Sequence, residues 1–182
     1  MIKNNVKTIV LLSGWLQSGK DTVGNFLVTK YGFKRYAYAD ALKNELSTKL
    51  KFDRGLMDII QGKNQMVNDM TIRQHLITHG QAMRNIDPLY WVKIVCNKII
   101  IEDYPRIVIT DCRMCNEIEH IIDTFGKNKV ISCRINRWTV APLQDETENT
   151  LDNFNFDIVI NNDGNVEKLY KQLIMSFDNK YN

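Results

Sequence analysis

Gly14 and the pair Gly19-Lys20 are separated by four residues, Trp15-Leu16-Gln17-Ser18, and that spacing has a chemical meaning. The run Thr8-Ile9-Val10-Leu11-Leu12-Ser13 precedes it, and behind Lys20 the apolar residues Val23, Phe26 and Leu27 recur at helical spacing. A strand that stops at Gly14 and a helix that starts near Gly19 leave a loop whose N–H groups turn inward. That loop lies at the positive end of the helix dipole and forms a nest for a triphosphate. Glycine at both ends permits backbone angles that a Cβ forbids, and Lys20 reaches the β- and γ-phosphates. The pattern is G-x-x-x-x-G-K-[ST] with one departure, since Asp21 stands in the hydroxyl position and Thr22 follows it. A carboxylate can serve Mg²⁺ there, directly or through water, because Mg²⁺ takes hard oxygen ligands and keeps several waters.

A second carboxylate ends the β-branched run Pro105-Arg106-Ile107-Val108-Ile109-Thr110-Asp111. Such a run reads as a buried parallel strand, and ligands bind at the C-terminal ends of strands in open α/β sheets. Asp111 is therefore a candidate for Mg²⁺ or its water shell, and Arg113 for phosphate. A helix cap with a salt bridge is the other use of this pair.

A third group lies on one helix face. Thr71 with Gln74 three residues on forms a capping box that opens a helix running to about Arg84. At 100° per residue, Arg73, Gly80 and Arg84 fall within about 20° of one another, with Gln81 beside them. Two guanidiniums flanking a glycine suit a phosphate that approaches the helix closely, and a solvated charged face is the alternative. His75 and His79, spaced i, i+4, have no third ligand in view and read as surface or core histidines. Tyr90 and Trp91 open the next helix, behind Asp87 as N-cap and Pro88, and serve either as core or as a ring beside a nucleobase. Arg134, Arg137 and the acidic stretch through Asp145-Glu146-Thr147-Glu148 read either as a lid that closes over transferring phosphate or as a surface loop.

The elements that position these groups alternate. Helices are expected from Gly19 to about Tyr31, stopped by Gly32, then from Asp40 as N-cap, then at Thr71–Arg84, 88–101, 116–125 and Val166–Phe177. Strands are expected at the phosphate loop's entrance and at 33–39, 105–111, 130–135 and 156–160. Lys51 to Asp69 is weakly patterned and reads as a mobile segment. This alternation gives an α/β fold: a doubly wound, mainly parallel five-stranded sheet sandwiched by helices. The 182 residues, 44% hydrophobic and 25% charged, fit one soluble domain. No apolar run reaches the roughly 18 residues of a membrane span, and Met1-Ile2-Lys3-Asn4-Asn5 leads into a strand rather than a signal peptide, so a cytoplasmic location is expected. Four cysteines without framework spacing read as reduced packing residues. A net charge of +3 gives no footprint for a stable nucleic-acid partner and suits anionic small molecules.

Several of these stretches together resemble the deoxynucleoside monophosphate kinases of tailed bacteriophages, within the phosphate-loop nucleoside monophosphate kinase group. They are Ser18-Gly19-Lys20-Asp21-Thr22, Ile72-Arg73-Gln74-His75-Leu76 leading to Gly80, Asp87-x-x-Tyr90-Trp91-Val92-Lys93 and Asp111-Cys112-Arg113. Asn136-Arg137, Thr147-Glu148 and Val159-Ile160-Asn161-Asn162-Asp163-Gly164 follow in the family's order. The resemblance implies that Gly14 to Thr22, including Gln17 and Ser18, hold ATP and Mg²⁺, with the Asn162–Gly164 turn beside the adenine. It implies that Asp40, Lys43, Arg73, Gly80, Gln81, Arg84 and Trp91 line a monophosphate pocket within about 40–100. Lys20, Arg113 and Arg137 would surround the transferring phosphate with positive charge, Asp111 would serve the metal, and a lid would span about 134–151. The expected partners are ATP and a (deoxy)nucleoside monophosphate, in a host cytoplasm if the source is viral, with a homodimer left open. A dephospho-coenzyme A or phosphomevalonate kinase, or an ATP-binding regulator, is the alternative.

Overall fold

The computed structural model describes residues 5–139 and 150–181. They form two compact units, one from the chain up to Ala37 together with Cys96 onward, the other Tyr38–Val95.

The first unit is built on β1 (Thr8–Ser13), whose apolar residues are all buried. β1 pairs in parallel with β5 (Arg106–Ile109) on one side and β6 (Val130–Asn136) on the other. β2 (Lys34–Tyr36) and β7 (Ile158–Asn161) add the edges, giving one sheet of order β2-β5-β1-β6-β7, parallel throughout. Ile9, Val10, Leu11 and Leu12 alternate faces and all four are buried, so both faces of the central strand are covered. Val10, Leu12, Cys133, Ile135 and Ile160 share a core with Val23, Phe26 and Leu27 of α1 (Lys20–Tyr31). That core also takes Leu169, Leu173 and Phe177 of the last helix, Val166–Tyr181, whose four-residue spacing lines up one helical stripe. Gly32 ends α1 in a left-handed conformation, φ 69°, its N–H returning to the carbonyls of the last turn. The five expected strands and the sandwich are thus present.

Asp157 pins the approach to β7. Its carboxylate accepts the Ser132 N–H and hydroxyl, each at 2.8 Å, and the Lys127 ammonium at 3.2 Å. Burial pushes this carboxyl up, but the Ser132 and Lys127 contacts outweigh it and hold it below its ordinary value. A depressed carboxyl stabilises the fold above the unfolded value, near 4, and loses that contribution as pH falls through its folded value. Thermal melts of wild type and Asp157→Asn are expected to differ by a few degrees at pH 7 and to converge below about pH 4. A gap independent of pH would exclude the charge as its cause.

The second unit holds α2 (Tyr38–Leu50), a 3-10 turn (Gly55–Asp58), α3 (Ile60–Lys63), a hairpin of β3 (Met66–Val67) and β4 (Met70–Thr71), and α4 (Ile72–Ile86). Leu46, Met57 and Ile72 form its core, with Leu50, Phe52, Val67 and Leu76 against them. The Thr71–Gln74 capping box is complete in both directions. The expected mobile segment, Lys51 to Asp69, instead holds the 3-10 turn, α3 and β3, and Met57 is fully buried. Asp40 is corrected as an N-cap: α2 begins two residues earlier, at Tyr38, and Asp40 lies within its first turn. Asp87 does cap, its carboxylate accepting the Leu89 N–H at 2.9 Å ahead of α5 (Tyr90–Glu102). The remaining helix, α6 (Cys115–Phe125), follows β5, and the C-terminal helix is α7.

Candidate functional site: the phosphate loop and the basic face of the 38–95 unit

The chain between β1 and α1 takes three left-handed backbone angles, at Gly14 (φ 146°), Gln17 (φ 62°) and Gly19 (φ 105°). The Lys20 ammonium donates to the carbonyls of Gly14 and Trp15, each at 2.7 Å, which places its charge over the loop's first residues. Asp21 is exposed and Thr22 half-buried at the opening of α1. Side chains from the turn after β7 and from β6 meet the loop and the strand end that precedes it. The Asn162 amide donates to the Ser18 carbonyl at 2.9 Å, and the Arg134 guanidinium donates to Ser13 Oγ at 3.3 Å. Gly164, next to Asn162 in the turn, is exposed.

Arg134 stands otherwise than a lid arginine would. It belongs to β6, is 7% exposed, pairs with Asp152 at 2.5 Å, and lies over the rings of Trp15 and Phe156. Arg137, three residues on, is exposed. The rest of the expected lid, with Asp145, Glu146, Thr147 and Glu148, lies outside the described residues. Trp15, Arg137, Trp138, Phe154 and Phe156 line a cavity of about 350 Å³ beside the loop. The Trp138 N–H donates to Asp163 at 2.7 Å, so the cavity adjoins the turn that contains Asn162.

At the end of β5, Asp111 and Arg113 are half-buried. The carboxylate of Glu117, itself 5% exposed, accepts the N–H groups of Arg113 (2.7 Å) and Met114 (3.1 Å), and the Thr150 hydroxyl donates to the Arg113 carbonyl. The main chain of Arg113 is therefore fixed on both its N–H and its carbonyl, which leaves the guanidinium on a rigid base. Glu117 does not stand out in the sequence; an acid four residues after Arg113 is the one signal that was available. No group of three or more His, Cys, Asp or Glu side chains that could hold a metal occurs among the described residues. Asp21 and Asp111 offer two hard oxygen donors, which fits Mg²⁺ that keeps waters and shares phosphate oxygens. The four cysteines are free, three of them buried, and burial pushes Cys96 up to about 11 and Cys133 up to about 12.

The 38–95 unit carries a basic face. Arg54 bridges Asp40 (2.9 Å) and Asp58 (2.6 Å), and Lys43 pairs with Asp58 at 2.7 Å. Burial pushes the half-buried Lys63 ammonium down, and the charges of Lys43 and Arg73 push it further, with Asp58 opposing. Lys43 and Arg73 thus act on Lys63 while Lys43 and Arg54 share Asp58, so positive charge is in excess here and an added anion relieves it. Lys63 was missed because it falls in the weakly patterned stretch. Arg73 is exposed and Arg84 half-buried, and among the described residues neither holds a carboxylate. Gln81 is exposed and bonds Asn85 at 2.8 Å.

Two expected contacts are taken by packing. A Cβ at Gly80 would stand 3.2 Å from Leu42, so the close approach that this glycine allows is made by α2. Trp91 is 3% exposed, its indole N–H on the Gly80 carbonyl at 3.2 Å and its ring edge-on to Tyr90. His75 bonds the Val67 carbonyl and His79 bonds Glu45, each at 2.7 Å, so the two histidines have separate partners.

The chain is 25% identical to a phosphomevalonate kinase from Drosophila melanogaster over 88% of its own length and 90% of that protein. It is 24% identical to a dephospho-CoA kinase from Fusobacterium nucleatum over 91% and 94%. A gluconokinase from Sinorhizobium meliloti shares its fold, with a TM-score of 0.52 over 96% of this chain and 94% of that one, at 9% identity. The family model described as deoxynucleotide monophosphate kinase matches residues 50–173, two thirds of the chain. The chain therefore belongs to the deoxynucleotide monophosphate kinase family, and it is a phosphate-loop kinase, an ATP-dependent phosphotransferase acting on a small phosphate-accepting substrate.

Proposed function

We propose that the protein transfers the γ-phosphate of ATP to a deoxynucleoside 5′-monophosphate, giving ADP and a deoxynucleoside diphosphate. What supports this reading is positive charge at two separate places suited to anions. One is the phosphate loop with the Lys20 ammonium over it, and the other is the cluster of Lys43, Lys63 and Arg73. Phosphoryl transfer asks for two anions held in line and for neutralisation of charge as it spreads in the transition state. Lys20, Arg113 and Arg137 supply that charge from the protein. Mg²⁺, when bound, adds positive charge on the phosphates, and Asp21 and Asp111 are the residues that would hold it or its waters. Arg73, Arg84, Lys43 and Lys63 grip the acceptor's phosphate, and Asp40, held by Arg54, and Gln81, bonded to Asn85, are assigned to its sugar and base. Trp91, with Gly80, shapes the floor of that pocket from within the core rather than stacking on the base.

The test is ADP release from Mg·ATP with each deoxy- and ribonucleoside 5′-monophosphate in turn, with phosphomevalonate, dephospho-coenzyme A and a no-acceptor control alongside. Stimulation by one or a few deoxynucleoside monophosphates is the expected result. Stimulation by either of the other two acceptors alone would overturn the substrate, and release at control level with all of them would overturn the activity.

Lys63 gives a sharper check on the acceptor side. Lys63→Met keeps most of the length of the side chain and removes its charge. It is expected to raise the KM for the monophosphate on the order of tenfold while leaving the KM for ATP unchanged. An unchanged acceptor KM would remove Lys63 from the site.

A further inference from the structure

Strained backbone lasts only where its surroundings over-determine it. The phosphate loop carries such strain at Gln17, a non-glycine residue at φ 62°. An amide from far along the chain meets the loop's later half. Asn162 is 9% exposed, and its Nδ2 donates to the Ser18 carbonyl at 2.9 Å across 144 residues of chain. Its own N–H donates to the Asn136 carbonyl at 2.7 Å, which continues the β6–β7 pairing by one step and ties Asn162 to the end of the sheet. The contact is close enough to dictate the neighbouring residue: a Cβ at position 19 would stand 2.4 Å from Asn162 Nδ2.

The Ser18 carbonyl and the Gly19 N–H belong to one planar trans peptide, so they point in opposite directions. Holding the oxygen on Asn162 therefore holds the Gly19 N–H pointing the opposite way within that plane. If the peptide turned over, the loop would lose a donor and gain a carbonyl oxygen, and an anion would meet repulsion where it now meets a hydrogen bond.

We infer that Asn162 is a positioning residue for the phosphate loop, acting on the triphosphate through the Ser18–Gly19 peptide and not through the adenine. This rests on the reading of the loop as the ATP site.

The experiment compares binding of Mg·ATP and of Mg·tripolyphosphate, which lacks base and sugar, to wild type, Asn162→Ala, Asn162→Asp and the milder Asn162→Ser. Calorimetry gives the affinities, and steady-state kinetics gives the acceptor KM. Asn162→Ala is expected to weaken both ligands by the same factor, about tenfold. Asn162→Asp, which sets an acceptor against the Ser18 carbonyl, weakens both further. Asn162→Ser keeps a hydroxyl donor and falls between wild type and Asn162→Ala, and the acceptor KM stays constant throughout. Loss of ATP affinity with tripolyphosphate unchanged would return Asn162 to the adenine and overturn the inference. Unchanged binding of both ligands would also overturn it, as would equal losses for ATP, tripolyphosphate and acceptor with a lowered Tm in Asn162→Ser. Failure of the wild type to bind either polyphosphate ligand would instead strike at the ATP site itself.

Discussion

Lys20→Ala is expected to abolish turnover while leaving the fold intact. Two of the ammonium's contacts are carbonyls of its own loop, Gly14 and Trp15, which are only half-buried. What disappears is a positive charge held ready for phosphates before any phosphate arrives. Charge of this kind, fixed where negative charge develops, is worth on the order of 3 kcal/mol, which is about 100-fold in rate. Thermal melting of the variant should stay within a few degrees of wild type, and ADP release with the preferred acceptor should fall by at least that factor. A variant that turned over near normally would refute the assignment of the loop.

Gly14→Ala should fail in a different way, losing stability and nucleotide together. At φ 146° this residue sits where a side chain is strained whatever the space around it, at a cost of about 1–3 kcal/mol. There is no space in any case. A Cβ would stand 2.4 Å from the Ile135 carbonyl oxygen and 2.6 Å from Ser18 Oγ. The first of these is backbone of β6, the strand paired with β1, and it cannot yield without opening that pairing. The expected result is a Tm lower by about 5–10 °C, and ATP affinity lower by more than about 100-fold because the loop must leave its anion-binding shape. A variant with normal ATP affinity would mean that the loop reaches that shape by another route.

The contrast between these two positions marks what a sequence displays. Gly14, Gly19 and Lys20 are legible because the constraints on them are local: a strand ends, a helix begins, and the spacing between is fixed. Gly32 and the Thr71–Gln74 box are legible for the same reason, since caps are closed within one turn. The hairpin around Asn68-Asp69 was also within reach. Both residues have positive φ, 48° and 64°, and a two-residue turn of Asn and Asp between short apolar pairs is a hairpin signature, but strands of two residues carry no period to notice. Arg134 read as a lid arginine because nothing near it in sequence announces Asp152 or Ser13 as its partners. Gly80 read as a ligand's landing place because Leu42, which fills the gap, lies on another helix. For Arg134 and Gly80 the deciding contact joins residues that sequence distance keeps apart, and packing rather than propensity made the choice.

The bond between Asn162 and Ser18 has a consequence for how the protein comes into being. The chain is made from its N-terminus, so the glycine-rich loop emerges 144 residues ahead of the Asn162 amide that meets it. Contacts of such long range form late, because the entropy of closing the chain must be overcome before they contribute. A chain ending before β7 keeps the loop's local bonds but lacks the amide that meets the Ser18 carbonyl. On the reading of the loop as the ATP site, such a chain is expected to bind ATP more weakly than one whose sheet is complete, so that ATP favours the completed sheet.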